Sequence, residues 1–152
     1  MPDHKADEHL QDWLKGCTCF RLRRTSRRMT QIYDAHLAAV GLTLTQYSLL
    51  AHLARMEPPT VHALAGVMGM DRTTLSRNLK PLLARALLIQ KTGEDRRSRL
   101  IAVTEAGRDL WTRAKPLWRA AQNEIRQRLG DQDTAELHRL LDDTFSRLEG
   151  GE

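Results

Sequence analysis

"DRTTLSRNLKPLLARALLIQKTGEDRRSRLIAVTEAG", from Asp71 to Gly107, changes periodicity three times. It begins at helical spacing: Leu75, Leu79, Leu82, Leu83 and Ala86 fall on one face, and Asp71 stands where a helix N-cap belongs. Leu87–Thr92 and Arg99–Thr104 then read as two short strands. The loop between them opens on Gly93 and packs Glu94, Asp95, Arg96, Arg97 and Ser98 together, which makes a charged hairpin. Thr104, with Ala106 and Gly107 behind it, starts another helix.

Upstream, Thr60 caps a short helix, Val61–Gly69, and Gly69-Met70 turns the chain into the helix that starts at Arg72. Helix, tight turn, helix is a layout that presents its second helix outward from a small core. Glu57–Thr60 ("EPPT") breaks the chain before it. Thr45–Met56 reads as a helix capped by Thr43 or Thr45. From about Leu10 to Val40 a long helical pattern carries Leu22, Met29, Tyr33, Leu37 and Val40 on one stripe, with Arg21, Arg24 and Arg28 opposite, and Gly41 ends it. Downstream, a long helix from Glu105 to about Leu129 is expected to be interrupted near Pro116. After Gly130-Asp131 a last helix, Gln132–Leu148, repeats Leu137, Leu140, Leu141, Phe145 and Leu148. Residues 1–10 read as a flexible tail. The fold class is mainly α with a small β-hairpin.

The 152 residues are 41% hydrophobic and 28% charged, which suits a globular chain. Lys plus Arg number 24 against 19 acidic residues, a formal +5, and favour an anionic partner. No apolar run approaches the roughly 20 residues that span a bilayer. The polar, acidic start resembles no signal peptide, so a cytoplasmic protein without membrane attachment is expected. There is no Gly-rich phosphate loop, nucleophile elbow or paired-carboxylate signature, so an enzyme is not expected. The histidines form no metal-binding motif, and neither metal nor cofactor is expected.

On the helix from Arg72, the face opposite the leucines carries Arg72, Thr73, Ser76, Arg77 and Lys80. Forked and small hydrogen-bonding groups of this kind suit a DNA major groove. Pro81 should kink the helix after Lys80, beyond that reading end. An arginine-bearing hairpin tip can reach an adjacent minor groove, where negative potential is concentrated. Asp95 can hold one of those arginines in a fixed rotamer. The terminal helices carry more apolar surface (Trp13, Leu14, Trp111, Leu117, Trp118) than one small core needs, which points to a homodimer. The competing reading is a protein-interaction module with its basic face on an acidic partner.

"LTQYSLLAHLA", "LAGVMGMDRTTLSRNLKPLLARALL" and "GEDRRSRLIAVTEAGRDL" resemble the MarR family of winged-helix transcriptional regulators, over about residues 12–148. The resemblance implies a winged helix-turn-helix with N- and C-terminal dimerisation helices. One domain, 11–152, would divide into a DNA-binding lobe at about 42–104 and a dimerisation lobe of 11–40 plus 105–149. It implies an obligate homodimer on a pseudo-palindromic double-stranded operator. The recognition face maps onto Arg72, Thr73, Thr74, Ser76, Arg77 and Lys80, and the wing onto Asp95, Arg96, Arg97 and Arg99. Arg97 would enter the minor groove, and Asp95 would brace an arginine. Such proteins usually repress transcription until a small ligand, often aromatic or phenolic, or oxidation releases them. Arg23, Tyr33, Tyr47 and His52 are the effector-pocket candidates by position.

Cys17 and Cys19 give the oxidation route its residues. Within a helix they differ by about 200° and cannot bridge locally. Cys19-Phe20-x-Leu22 resembles the first-helix segment of the peroxide-sensing branch of the family, where that cysteine is reactive and a tyrosine at the position of Tyr33 bonds its thiolate. The chain departs from that branch at Arg23 and Leu44, where the branch has tyrosines. The alternative is that Cys19 is a small core residue.

Overall fold

The computed structural model describes residues 16–93, 95 and 98–150. Helix α1 (Thr18–Leu37) continues into a 3₁₀ turn (Ala38–Val40) and stops at Gly41, whose φ of 66° a side chain would resist. Helix α2 (Leu44–Leu53) begins in a capping box: Thr43 accepts from the Gln46 backbone, and the Gln46 side chain accepts from the Thr43 backbone. Helix α3 (Val61–Met68) is capped by Thr60, and helix α4 (Arg72–Ala84) by Asp71. Strands β1 (Leu88–Thr92) and β2 (Arg99–Val103) pair antiparallel, with Leu88 opposite Val103 and Thr92 opposite Arg99. Helix α5 (Glu105–Leu129) and helix α6 (Asp131–Glu149) complete the order. The expected tail at residues 1–10, with Trp13 and Leu14, lies outside the described residues.

Several local expectations change. Helix α5 is not interrupted at Pro116, while Pro81 lies within α4, as its sequence position implied. Both prolines face solvent, as do Thr112 and Arg77, whose carbonyls lose a helical donor, so water can replace the missing bond. Ala86 does not join the buried leucine stripe. It follows the end of α4 with φ 52° and turns the chain into β1. Cys17 is not inside a helix. It is the extended N-cap of α1, its Sγ 3.4 Å from the Phe20 amide, so the helical angle that separated it from Cys19 does not apply. Pro59-Thr60 adds a third short edge to the ribbon: Thr60 bridges Leu100, and the Ile101 amide donates to the Pro59 carbonyl at 2.9 Å.

The core lies where α2, α3, α4 and the ribbon meet the first half of α5. Leu37, Leu49, Leu50, Leu64, Leu75, Leu82, Leu88 and Ile101 are its fully buried large side chains. Thr104 ties the ribbon to α5. Its amide donates to the Leu87 carbonyl, its hydroxyl lies 2.8 Å from the Ala86 carbonyl, and it caps the Gly107 amide. Gly107 packs so closely on Leu87 that a Cβ there would lie 2.2 Å from the Leu87 carbonyl oxygen. Thr104 and Gly107 of the "TEAG" turn are therefore a joint between wing and helix.

The large side chains of α5 pack within the chain. Trp111 belongs to the core, between Arg55 and Lys115, and Trp118 stacks on Tyr47 with ring centroids 5.8 Å apart. Trp111, Leu117 and Trp118 therefore do not supply the surplus apolar surface that the sequence suggested. The uncovered surface lies elsewhere. No residue of α6 is buried, and Leu22, Leu129, Leu140, Leu141, Phe145 and Leu148 are exposed.

Candidate nucleic-acid interface

Helix α4 stands on Leu75, Leu79 and Leu82, so its opposite side must face outward. Arg72, Thr73, Ser76, Arg77 and Lys80 are all exposed on that side. Thr74 differs from them. It is half-buried, its hydroxyl donates to Asp71 Oδ2 at 2.6 Å, and its amide donates to Oδ1. Those bonds hold the exposed Asp71 carboxyl below its ordinary pKa, the Thr74 hydroxyl being the largest cause. Thr74 thus secures the N-terminus of α4, and the reading groups follow on its outer face. Asn78, which the sequence did not single out, bonds the Thr74 carbonyl at 2.9 Å.

The ribbon places a second polar element beside this helix. Arg99 is exposed at the start of β2, in register with Thr92. The Ser98 amide and hydroxyl both donate to the Asp95 carbonyl at 2.8 Å, which folds back the loop end, and the Gly93 amide donates to the Ser98 carbonyl. Arg96 and Arg97 lie outside the described residues. An outward helix of guanidinium and hydroxyl groups beside a basic ribbon has the chemistry to grip a duplex at two neighbouring grooves.

The effector residues do not come together as expected. A groove of about 490 Å³ is lined by Arg21, Leu22, Thr25, Ser26, Met29, Thr30, Tyr33, Leu44, Leu137 and Leu141. Of the four candidates, Tyr33 alone lines it. Its burial pushes the phenol pKa up, so at neutral pH it is a protonated donor. Tyr47 is buried against Trp118 instead. His52 is exposed and turned back on its own helix, with Nδ1 2.7 Å from the Ser48 carbonyl. Arg23 is exposed on another side of α1. Helical phase explains the difference: Leu22, Met29 and Tyr33 share the inward stripe, and Arg23 is rotated about 100° from Leu22. The groove also takes its far wall from α6, a contact without any local sequence signal.

Both cysteines are exposed rather than packed in a core. Cys19 and Tyr33 lie about 21 Å apart along α1 at about 1.5 Å per residue, so one chain cannot pair them. Among the described residues, no helix is long and apolar enough to cross a membrane, and no group of three or more His, Cys, Asp or Glu is arranged to hold a metal.

Comparison with known proteins adds independent findings. The MarR family model matches residues 40–98. The organic hydroperoxide resistance transcriptional regulator of Bacillus subtilis is 36% identical over 62% of this chain, which spans 65% of that relative's length. The transcriptional activatory protein BadR of Rhodopseudomonas palustris is 31% identical over 98% of this chain and 89% of its own. Among solved structures, the Mycobacterium tuberculosis transcriptional regulator MosR in complex with DNA is 36% identical (TM-score 0.69, 84% of this chain and 98% of that one). CouR of Rhodococcus jostii RHA1, bound to p-coumaroyl-CoA, is 25% identical (TM-score 0.70, 86% and 93%). The winged helix, its joint at Thr104 and Gly107, and a relative matched along nearly the whole chain agree: the protein belongs to the MarR family of transcriptional regulators.

Proposed function

We propose that the chain is a homodimeric, sequence-specific DNA-binding regulator that represses transcription until a small aromatic ligand occupies the groove at Tyr33. The observation that carries the DNA reading is the outward polar face of α4, held on a fully buried leucine stripe. In this reading Arg72, Thr73, Ser76, Arg77 and Lys80 meet the major groove, and Thr74 sets their position. The wing residues Asp95, Arg96, Arg97 and Arg99 meet the adjacent minor groove, with Asp95 bracing an arginine. Residues 42–104 form the DNA-binding lobe, and the flanking helices form the dimer on a pseudo-palindromic site. A protein working on DNA in this way acts in the cytoplasm. MosR bound to DNA supports the assignment of the partner.

The groove's leucines, Met29 and Tyr33 suit an aromatic ring, and its hydroxyls with Arg21 suit an anionic or phenolic substituent. The complex of CouR with p-coumaroyl-CoA supports a ligand of that aromatic type. The test is duplex binding to the chain's own upstream DNA over a salt series. Affinity should fall linearly on logarithmic axes as phosphate counterions are released, and Arg77→Ala should weaken it. No duplex affinity even at low salt would overturn the reading and leave the protein-interaction alternative.

A second reading has its own support. Cys17 and Cys19 are exposed, and one relative regulates organic hydroperoxide resistance. Here an organic hydroperoxide oxidises Cys19 to a sulfenic acid and is reduced to the alcohol, and the modified dimer releases DNA. Equal release of wild type and Cys19→Ser by hydroperoxide would remove this reading without touching the first.

A further inference from the structure

Arg85 follows the last turn of α4, beyond the reading groups, and is exposed. Its side chain crosses 44 positions of sequence: Nη1 donates to the Gly41 carbonyl at 2.7 Å. Gly41 is the left-handed residue at the joint between α1 and α2. The amides of this joint are already used on α1, Gly41 donating to the Ala38 carbonyl and Leu42 to that of Leu37. Asp34 of α1 holds the far side of the joint through the Leu44 amide. The Gly41 carbonyl therefore has a fixed direction, and Arg85 fastens the end of the reading helix to it by a charge-assisted bond.

The turn that carries Arg85 is fixed on its other side by the wing. Ala86 has φ 52°, a left-handed conformation that a Cβ opposes. It stays there because the Ala86 amide donates to the Leu83 carbonyl and the Leu87 amide to that of Leu82, while the Thr104 hydroxyl and amide donate to the Ala86 and Leu87 carbonyls. Residues 85–87 thus move with α4 and β1 as one piece. Beneath α4, Leu75, Leu79 and Leu82 make apolar contacts, which are non-directional and set its height above the core rather than its tilt. A directional bond at one end supplies what the stripe does not. At about 1.5 Å per residue, Arg77 lies about 12 Å and Arg72 about 20 Å along the helix from Arg85, so a tilt of ~5° about that end moves them by about 1 and 2 Å. Hydrogen bonds to bases tolerate a spread of only about 0.5 Å.

We propose that Arg85 is a positioning residue for DNA recognition: by holding the Gly41 carbonyl it sets the tilt of α4, and with it the register of Arg72, Ser76 and Arg77 on the bases. The proposal rests on the DNA-binding reading and adds to it a residue that touches no base. Selectivity among sequences then depends on a bond made at the opposite end of the helix from its contacts.

The test uses the full chain, a duplex of its own upstream DNA and a scrambled duplex of the same length and composition. Arg85→Met keeps the aliphatic stem and loses the donors. It should lower the ratio of upstream to scrambled affinity about tenfold or more, with the scrambled affinity and the salt slope as in wild type. An unchanged ratio overturns the proposal. So does an equal loss on both duplexes with a salt slope smaller by about one, which marks Arg85 as a phosphate contact. A merely structural role is separated by adding Ala86→Gly, which relieves the left-handed turn and raises the unfolding midpoint. The double variant should regain stability and still lack selectivity; selectivity that returns with stability overturns the proposal. A wild-type chain that does not distinguish the two duplexes overturns the sequence-specific reading itself.

Discussion

Gly107→Ala should destabilise this protein even though it replaces glycine by the best helix former. In an open helix position the change gains about 1 kcal/mol. Here the new Cβ would sit 2.2 Å from the Leu87 carbonyl oxygen, 2.8 Å from Val103 Cγ2 and 3.1 Å from the Leu87 carbonyl carbon. Two of these contacts are backbone, so no rotamer change relieves them. Overpacking of this kind costs about 1–3 kcal/mol, and contact with backbone belongs at the upper end. The Leu87 carbonyl also accepts from the Thr104 amide at 3.1 Å. Moving it aside loosens the cap of α5, at about 1 kcal/mol per weakened bond. The net is a loss of about 2–3 kcal/mol against a total of about 5–15 for a domain. Gly66→Ala is the control: its Cβ would meet nothing within 4 Å, in the interior of α3, and it should stabilise by about 0.5–1 kcal/mol. Urea unfolding at one fixed protein concentration, followed by circular dichroism, reads both. If Gly107→Ala proves as stable as wild type or more so, the joint between wing and helix has been misread.

Arg77→Ala should lower operator affinity by about 1–3 kcal/mol and relax base preference at one position, whereas Lys80→Ala should weaken all sequences alike, measured by anisotropy across single-base operator variants. Asp71 has its carboxyl pKa lowered mainly by the Thr74 hydroxyl, so its cap contributes fully above the unfolded value and is lost as pH falls through the lowered one. Asp71→Asn keeps a capping oxygen without that titration, so its acid unfolding limb should be shallower than wild type's; identical limbs would refute the assignment. A ligand in the groove should change the emission of Trp118, whose ring lies 6.4 Å from that of Tyr33, and Trp118→Phe should abolish most of the change.

What could be read in advance divides along the range of the interaction. Helix α4, its cap, the hairpin and the turn at Thr104 are local, and their residues carry the signals themselves: Asp71 before a leucine repeat, Gly93 between two alternating runs. The interruption expected at Pro116 misled because the cost of a proline depends on which side of a helix it occupies, and periodicity alone did not show that Pro116 faces water. The effector-pocket candidates scatter for a different reason. Arg23 and His52 carry suitable chemistry, but a groove is defined by walls distant in sequence, and Leu44, Leu137 and Leu141 show no polar pattern to betray them. The aromatics of α5 were legible as apolar and illegible as to partner: Trp118 stacks on Tyr47 of its own chain.

That stacking bears on how binding at one end can be felt at the other. A ligand shifts an equilibrium only by as much as its affinity differs between the two states. Most of the groove wall belongs to α1 and α6, outside the winged helix, so filling it would be indifferent to DNA unless some wall residue also contacts the reading lobe. Tyr33 meets that requirement through Trp118, which stacks on Tyr47 within 5.8 Å, and Leu44 meets it by standing at the first turn of α2. The Leu44 amide donates to Asp34 Oδ1 at 2.7 Å, one residue beyond Tyr33 on α1. The inner end of the groove is therefore pinned to α2 by an aromatic stack on one side and a charge-assisted hydrogen bond on the other. Helix α2 in turn shares the buried leucine core with α4. A ligand that displaces Tyr33 has to work against those two attachments, and it is their difference in energy between the free and DNA-bound shapes, not the depth of the groove, that sets how strongly binding there releases DNA.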